Sequence, residues 1–402
     1  MNKQKLTIAC TVLMDVVGLG IVLPSLPFYV TKMGGSAIEM TYLSAVYAIC
    51  SFLSTPMLGA LSDRIGRRPI LLVSIASTAV GWLVFASAKA LPILFLGRII
   101  DGLAAGNFST AQSYLVDIAK DDKERTNNLG MIGTLFGIGF IIGPTLGGIL
   151  GSVSPTLPFW TAGIMAVLNL IAAYFFLPET NHLRNPDKMY INPFRPIVRA
   201  VQNKKLLPYF IIWLLFGMAT SGVWVINAIY FADRFGFGSF AIGVLMGVQG
   251  VLMALNQMVI LKRFWLRYFK EPQLVLFMLL LFAFGYLFMG MVYAVLFFLG
   301  ILCAVFAQSV LRAVFTSEVI GLAEPRVKGE VMGILGSVIS LGMIIGPLLS
   351  GPLYIFKNNL PFILSAGYIF ISFFIIYRHR QRLKNVIPEE NIEVNVITGN
   401  PV

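Results

Sequence analysis

Gly59-Ala60-Leu61-Ser62-Asp63-Arg64-Ile65-Gly66-Arg67-Arg68-Pro69 decides how this chain is read. It lies between two apolar runs, so a short charged turn joining two membrane helices is predicted. Gly59 and Gly66 permit close backbone approach and a tight reversal. Asp63 suits a helix end, as a cap or an ion-pair partner. Arg64, Arg67 and Arg68 hold the turn on the cytoplasmic side of a bilayer. Pro69 fits the first turn of the next helix, where its missing N–H costs nothing.

Outward from the turn, the rest of the chain is also membrane-like. Of 402 residues, 57% are hydrophobic and 12% charged, with mean hydropathy +0.83. Soluble domains carry about 25% charged residues, so the chain reads as an all-α, multi-pass membrane protein. Spans are predicted near 6–30, 40–62, 69–90, 92–119, 127–152, 156–178, 205–231, 237–263, 272–292, 294–322, 329–355 and 358–377. Each reaches the length of about 20 residues that crosses a bilayer. Lys3 and Lys5 before an apolar run resemble a signal peptide, but the run continues to Val30 without a small-residue cleavage site and reads as the first span.

With both termini cytoplasmic, 24 of the 30 Lys and Arg fall in cytoplasmic segments or at the span ends beside them, four fall in outer segments, and Arg98 and Arg312 lie well inside spans. That asymmetry sets orientation and accounts for the net charge of +12 without an anionic partner. No nucleic-acid module is apparent. Cys10, Cys50 and Cys303 sit in apolar runs and are odd in number, so they read as packing residues and not as disulfides or metal ligands. His182 and His379 fall in cytoplasmic segments. No intramembrane His is therefore present for catalysis or metal binding, which counts against an enzyme.

The chain is one unit used twice. Pro69 pairs with Pro272, Gly130 with Gly333 and Gly139 with Gly342 at one offset (342 − 139 = 203). Ile142-Gly143-Pro144 matches Ile345-Gly346-Pro347, and Leu157-Pro158-Phe159 matches Leu360-Pro361-Phe362, at the same offset. Two six-helix halves are predicted, 1–180 and 205–384, joined by a cytoplasmic linker at 181–204 and followed by a disordered cytoplasmic tail at 385–402. Parallel repeats with a site between them are a transporter architecture. The second half lacks the turn signature: Lys262, Leu266 and Lys270 stand where the first half has Gly59, Asp63 and Arg67.

Polar residues inside the spans are the functional candidates. Asp15 lies near mid-membrane, where a carboxylate costs several kcal/mol unless paired, protonated or wet. It reads either as bonded to a neighbouring helix or as a reversible proton carrier. Arg98 and Asp101 share a helix face, and they either neutralise each other or respond to proton entry. Asn107, Gln112, Asn227, Tyr230, Gln249, Asn256, Gln308 and Arg312 are candidates for a central cavity, although single amides in spans are often packing glue. A mid-membrane Arg312 needs an acid, a substrate anion or water, and Asp15 is a possible partner. Asp117 and Arg125 at the cytoplasmic end of the fourth span are eight apart, as are Glu318 and Arg326. In the fifth span Gly139, Gly143, Gly147 and Gly151 form a smooth stripe, with Gly148 beside it and a bend predicted at Pro144. Gly137-x-Gly139 is mid-helix with no preceding strand, and no G-x-x-x-x-G-K-[ST] occurs, so ATP is not expected as the energy source.

The pattern G-x-L-x-D-R-x-G-R-R at 59–68 resembles the loop between the second and third helices of the major facilitator superfamily. Arg98-x-x-x-Gly102 resembles its fourth-span Arg motif, linked there to proton coupling. The run Gly139 to Gly148 resembles the G-x-x-x-G-P-x-x-G-G motif, commoner in antiporters than in importers. Asp15, Gly18, Gly20, Pro24 and Pro27 resemble the first span of the drug:proton antiporters, the tetracycline efflux pumps in particular. The resemblance covers residues 6–380 and implies the twelve-helix fold of two pseudo-symmetric halves, with Asp117 meeting Asp63 and Arg67 as a cytoplasmic latch together with Arg125. It also departs from the tetracycline pumps. Phe282 stands near the place of their ninth-span acid, and the eighth span has no His. The expectation is a proton-coupled exporter of a small organic molecule, needing no cofactor, in a bacterial inner membrane. The rivals are a transporter of a carboxylate-bearing metabolite or siderophore, and a membrane sensor or enzyme.

Overall fold

A computed structural model of the chain describes residues 3–180, 192–291, 293–324 and 327–386. The expected tail beyond Val386, residues 181–191 of the linker with His182, and Arg326 lie outside the described residues. Among the described residues twelve helices are long and apolar enough to cross a membrane. Span 1 is Lys3–Val22 continued by Leu26–Lys32, span 2 Ala37–Ile65, span 3 Arg67–Ala86, span 4 Leu91–Leu103 with Asn107–Asp117, span 5 Asp122–Val153 and span 6 Leu157–Phe176. Span 7 is Leu207–Phe235, span 8 runs from Ser239 to Tyr268, and spans 9 to 12 are Glu271–Met289, Ala294–Gly321, Lys328–Phe356 and Leu360–Val386. A short helix, Arg195–Gln202, precedes span 7. Prolines open spans 6, 7 and 9 in the first turn, where no donor is lost.

Three predicted continuous helices are interrupted. Span 1 breaks at 23–25, where Pro24 supplies no N–H and Pro27 starts the next helix. Span 4 breaks at 104–106, and the carbonyls freed there accept from span 2: Ser54 Oγ donates to Gly102 O at 2.8 Å and Thr55 Oγ1 to Ala105 O at 3.0 Å. Irregular backbone at membrane depth needs such replacement partners. Span 8 changes to π-helical winding over Asn256–Trp265.

The internal repeat reappears as packing. Side chains added at Gly139 and Gly143 in span 5 would strike Val16 and Gly20 in span 1. Their repeat partners Gly342 and Gly346 in span 11 abut Gly217 and Met218 in span 7. Gly148 instead packs across the halves, its Cβ position 2.8 Å from Ser239 O and 2.9 Å from Gly243 Cα of span 8. Its counterpart Gly351 (148 + 203 = 351) packs against Ala37, Ile38 and Thr41 of span 2. Both cross-half joints lie at the far face, the one away from the 62–68 turn. Towards the turn, on the basic face, Gly130, Gly133 and Gly137 of span 5 and Gly333 and Gly336 of span 11 have nothing within 4 Å of a Cβ. The molecule is closed at the far face and open at the basic face.

Candidate functional site

Two polar regions flank the opening, one in each half. In the first half, the cluster is built from spans 1, 2, 3, 4 and 6. Arg98 and Asp101 are buried, 7% and 6% exposed, with Nη1 and Oδ2 3.7 Å apart. The guanidinium lies 4.3 Å from the ring centre of Trp82, 5.1 Å from that of Phe85 and 5.9 Å from that of Tyr47, cation–π contacts that are stronger away from water. Asp101 lies beside the Thr78 hydroxyl. Asn107 Nδ2 donates to Thr78 Oγ1 at 3.3 Å, and the same amide lies beside Asp15. Asp15 Oδ1 accepts from Asn169 Nδ2 at 3.3 Å, and that amide also donates to Thr11 O at 3.4 Å. Asp15 is within electrostatic reach of Asp101 and, unlike it, keeps part of its surface accessible. Asn107 Oδ1 and Arg98 Nε are buried without a hydrogen-bond partner.

In the second half, a cavity is lined by Thr220, Trp224, Asn227, Gln249, Tyr286 and Gln308 among others. None of its lining residues is charged. Asn227 Oδ1 is buried with no protein partner. Phe140 of span 5 meets Trp224 edge-on at 5.8 Å, and Phe136 and Phe108 extend the aromatic row into the first half.

Several expected cavity residues lie elsewhere. Tyr230 is 4% exposed and packs on Phe297 and Phe362. Phe362 is the repeat partner of Phe159 (362 − 159 = 203), which packs on Tyr29 in the first half, so Tyr230 belongs to a duplicated aromatic core. Asn256 is fully buried. Its amide donates to Phe306 O at 3.0 Å and Ser309 Oγ at 2.6 Å, and accepts from Trp265 Nε1 at 2.9 Å. That leaves no free polar atom for a ligand. Asn107 belongs to the Asp15 cluster, and Gln112 is half-buried in span 4 and does not line the cavity. Arg312, one turn from Gln308 towards the basic face, is exposed and forms no ion pair with Asp15. Its exposure removes the need for a buried counter-ion.

On the basic face, Arg67 bridges Asp63 at 2.5 Å and Asp117 at 3.0 Å, and donates to Ser62 Oγ at 2.6 Å. Gly66 carries φ +115°, and a side chain there would strike the Glu179 carboxylate. Glu179 accepts from the Arg67 and Arg68 amides at 2.8 and 3.1 Å, an anion capping the start of span 3. Arg68 donates to Tyr174 O at 2.6 Å, and Arg64 is exposed. Gly59, read as a point of close approach, has open space around it. Arg125 is exposed and joins neither carboxylate. In the second half Glu318 pairs with Arg380 of span 12 at 2.5 Å, tying the ends of spans 10 and 12. Sequence reasoning missed Tyr47, Thr78, Asn169, Trp224, Glu179 and Arg380. Only Asn169, a lone amide in an apolar span, gave a signal that could have been followed.

The family model of the Major Facilitator Superfamily matches residues 8–317 and 264–401. The chain is 31% identical over 368 residues to the class C tetracycline resistance protein of Escherichia coli, covering 88% of this chain and 90% of that protein. It is 24% identical over 396 residues to the quinolone resistance protein NorA of Staphylococcus aureus, covering 96% and 99%. Among solved structures, a peptide transporter in complex with sulfate superposes with TM-score 0.80 at 16% identity, covering 96% of both chains. A human organic anion transporter superposes with TM-score 0.68 at 24% identity, covering 93% of this chain and 99% of that one.

Proposed function

Because the chain belongs to the Major Facilitator Superfamily, we propose that it is a secondary transporter exporting a small organic molecule of drug type in exchange for protons. The observation that carries this reading is the separation of chemistry between the halves. The ionisable groups Asp15, Arg98 and Asp101 gather in one half, and an uncharged polar cavity occupies the other. Tetracycline and quinolone resistance proteins among the relatives support efflux. Drug entry is from the basic face, which the excess of Lys and Arg assigns to the cytoplasm of a bacterial inner membrane, both termini included. The described conformation is then inward-open. Asn227, Gln249 and Gln308 offer hydrogen bonds in the cavity, and Trp224 offers an aromatic face. Arg312 at the rim favours cargo bearing a carboxylate, which a guanidinium grips at two points.

Energy comes from the proton gradient, with no cofactor, ATP or nucleic acid involved. The halves 1–180 and 205–384 rock about the cavity, joined by the 181–204 linker. The Asp63–Arg67–Asp117 network holds the ends of spans 2 and 4 together through that motion. Inside-out vesicles carrying the purified protein test this directly. With an imposed pH gradient, acid inside, tetracycline or a quinolone accumulates inside and collapse of the gradient releases it. Accumulation driven equally well without the gradient refutes proton coupling.

A further inference from the structure

The turn between spans 8 and 9 copies the turn between spans 2 and 3 at the 203-residue offset, but its acids are missing. In the first half the protein itself supplies the anions: Asp63 and Asp117 meet Arg67, and Glu179 meets the Arg67 and Arg68 amides. The counterparts of these three carboxylates are Leu266, Ile320 and Arg382 (382 − 179 = 203). The cations remain. Lys262, Arg263, Arg267 and Lys270 are all exposed, and among the described residues none of them pairs with a carboxylate. Glu271 is the one acid of the stretch 256–271 and leaves it at +3 (4 − 1 = 3). Arg263 and Arg267 are four apart, where like charges on a helix repel. Arg267 lies over the ring of Tyr268, 5.9 Å from its centre.

An aromatic ledge adjoins these cations. Phe264 meets Tyr268 at 5.2 Å between ring centres, and Trp265 and Phe269 pack on Phe277 of span 9 at 6.1 and 5.6 Å. Phe264, Tyr268 and Phe277 are nevertheless exposed. Exposed rings at the end of a span sit at the level of lipid headgroups. A small anion in water would need the cations alone. Rings left bare beside them suit an anion that carries hydrocarbon.

We propose that the turn between spans 8 and 9 is a docking site for an anionic phospholipid of the leaflet at the basic face. The lipid phosphate takes the guanidinium groups of Arg263 and Arg267, which suit its oxygens, with Lys262 and Lys270 as flanking charges. The acyl chains lie along Phe264 and Phe277. Basic segments beside a span are drawn to anionic headgroups in this way. The bilayer thus gives the second half the anion that Asp63, Asp117 and Glu179 give the first. The site stands apart from proton coupling and needs only the membrane-spanning fold.

Native mass spectrometry of the purified full-length protein in an uncharged detergent tests this by counting bound lipid. Dioleoyl phosphatidylglycerol is expected to bind at least about tenfold more tightly than dioleoyl phosphatidylcholine, which has the same chains and no net charge. The preference disappears in Arg263→Gln/Arg267→Gln. It is kept in Lys204→Gln/Lys205→Gln, which removes the same charge from exposed positions just before span 7. Equal loss in both variants, or a preference that survives in Arg263→Gln/Arg267→Gln, overturns the proposal. Should that variant fail to fold, Lys262→Gln/Lys270→Gln takes its place: a weakened preference supports the proposal and an unchanged one overturns it. Inorganic phosphate separates the two sources of the anion. It leaves the lipid bound if the ledge holds the chains, and displacement of the lipid by phosphate makes this a free-anion site and overturns the proposal. Removal of residues 387–402, which carry Glu389, Glu390 and Glu393, is expected to leave lipid binding unchanged. Lipid that binds only after their removal makes the acidic tail the occupant and overturns the proposal too. The measurement needs no substrate and no gradient, so a failure of proton coupling in vesicles leaves its outcome separately readable.

Discussion

Asp15 and Asn256 are both polar residues inside spans, and the sequence makes both of them functional candidates. What separates them is hydrogen-bond accounting. Asn256 has every polar atom occupied, by Phe306, Ser309 and Trp265. Asn256→Ala therefore leaves buried groups unsatisfied and is expected to destabilise the protein by about 1–3 kcal/mol, read as a lowered midpoint of thermal unfolding in detergent. Asp15→Asn keeps the shape and the Asn169 contact but carries no exchangeable proton. Uphill transport in vesicles should disappear while exchange of labelled drug persists, and uphill transport at the wild-type rate would dismiss Asp15 from coupling. Arg312→Lys keeps the charge and loses the two-point grip, so a quinolone, with its carboxylate, should bind at least several-fold more weakly while a cargo without one is unaffected. Equal binding of both by the variant would make Arg312 a bystander. Asp15, Arg98 and Asp101 were legible because ionisable residues are rare in spans. Asn169, Thr78 and Tyr47 were not, since ordinary residues become cluster members only when five helices converge.

Among the elements, spans 5 and 8 show what the sequence conveys and what it omits. The glycine run in span 5 announces close packing, but its spacing does not say that Gly139 and Gly143 face span 1 while Gly148 faces the other half. That follows from the 100° turned by each residue of a helix. Gly148→Leu is expected to prise the far face apart, since the site meets backbone of span 8 and not a flexible side chain. A cysteine placed at Ser239 should then become reactive to a membrane-impermeant reagent applied at the far face. If Ser239→Cys stays unreactive in the Gly148→Leu background, the joint does not close the molecule. The breaks at 23–25 and 104–106 were hidden for a different reason. The hydroxyls that satisfy the freed carbonyls of span 4 come from span 2, about fifty positions earlier. The π-helical turn of span 8 left no mark either, being held by Asn256 and Trp265, nine residues apart.

At the scale of the whole molecule, the duplication was plain in the sequence because packing against a neighbouring backbone tolerates only glycine at the same place in each copy. The state of opening was not, because both states use the same sequence. The Asp63–Arg67–Asp117 network is half-exposed, and ion pairs of that kind contribute roughly 0.2–1 kcal/mol. Asp63→Asn should therefore bias the open and closed populations modestly, by less than about tenfold, without unfolding the protein. Labelling of Gly133→Cys from the basic face reports the shift, and unchanged labelling with lost expression would mean a folding role instead.

The far face is fastened by two seams, Gly148 against span 8 and Gly351 against span 2, which are copies of one another. A gate with two matched fasteners opens only when both part, so its resistance is the sum of two similar contributions. Weakening either one lowers that resistance without abolishing it, because the other stays in place. Partial loss at one seam is then repairable at the other, and second-site revertants of a span 5 glycine mutant should collect in spans 2 and 11 as well as in span 8. A duplicated gene has in this way left the transporter a spare closure.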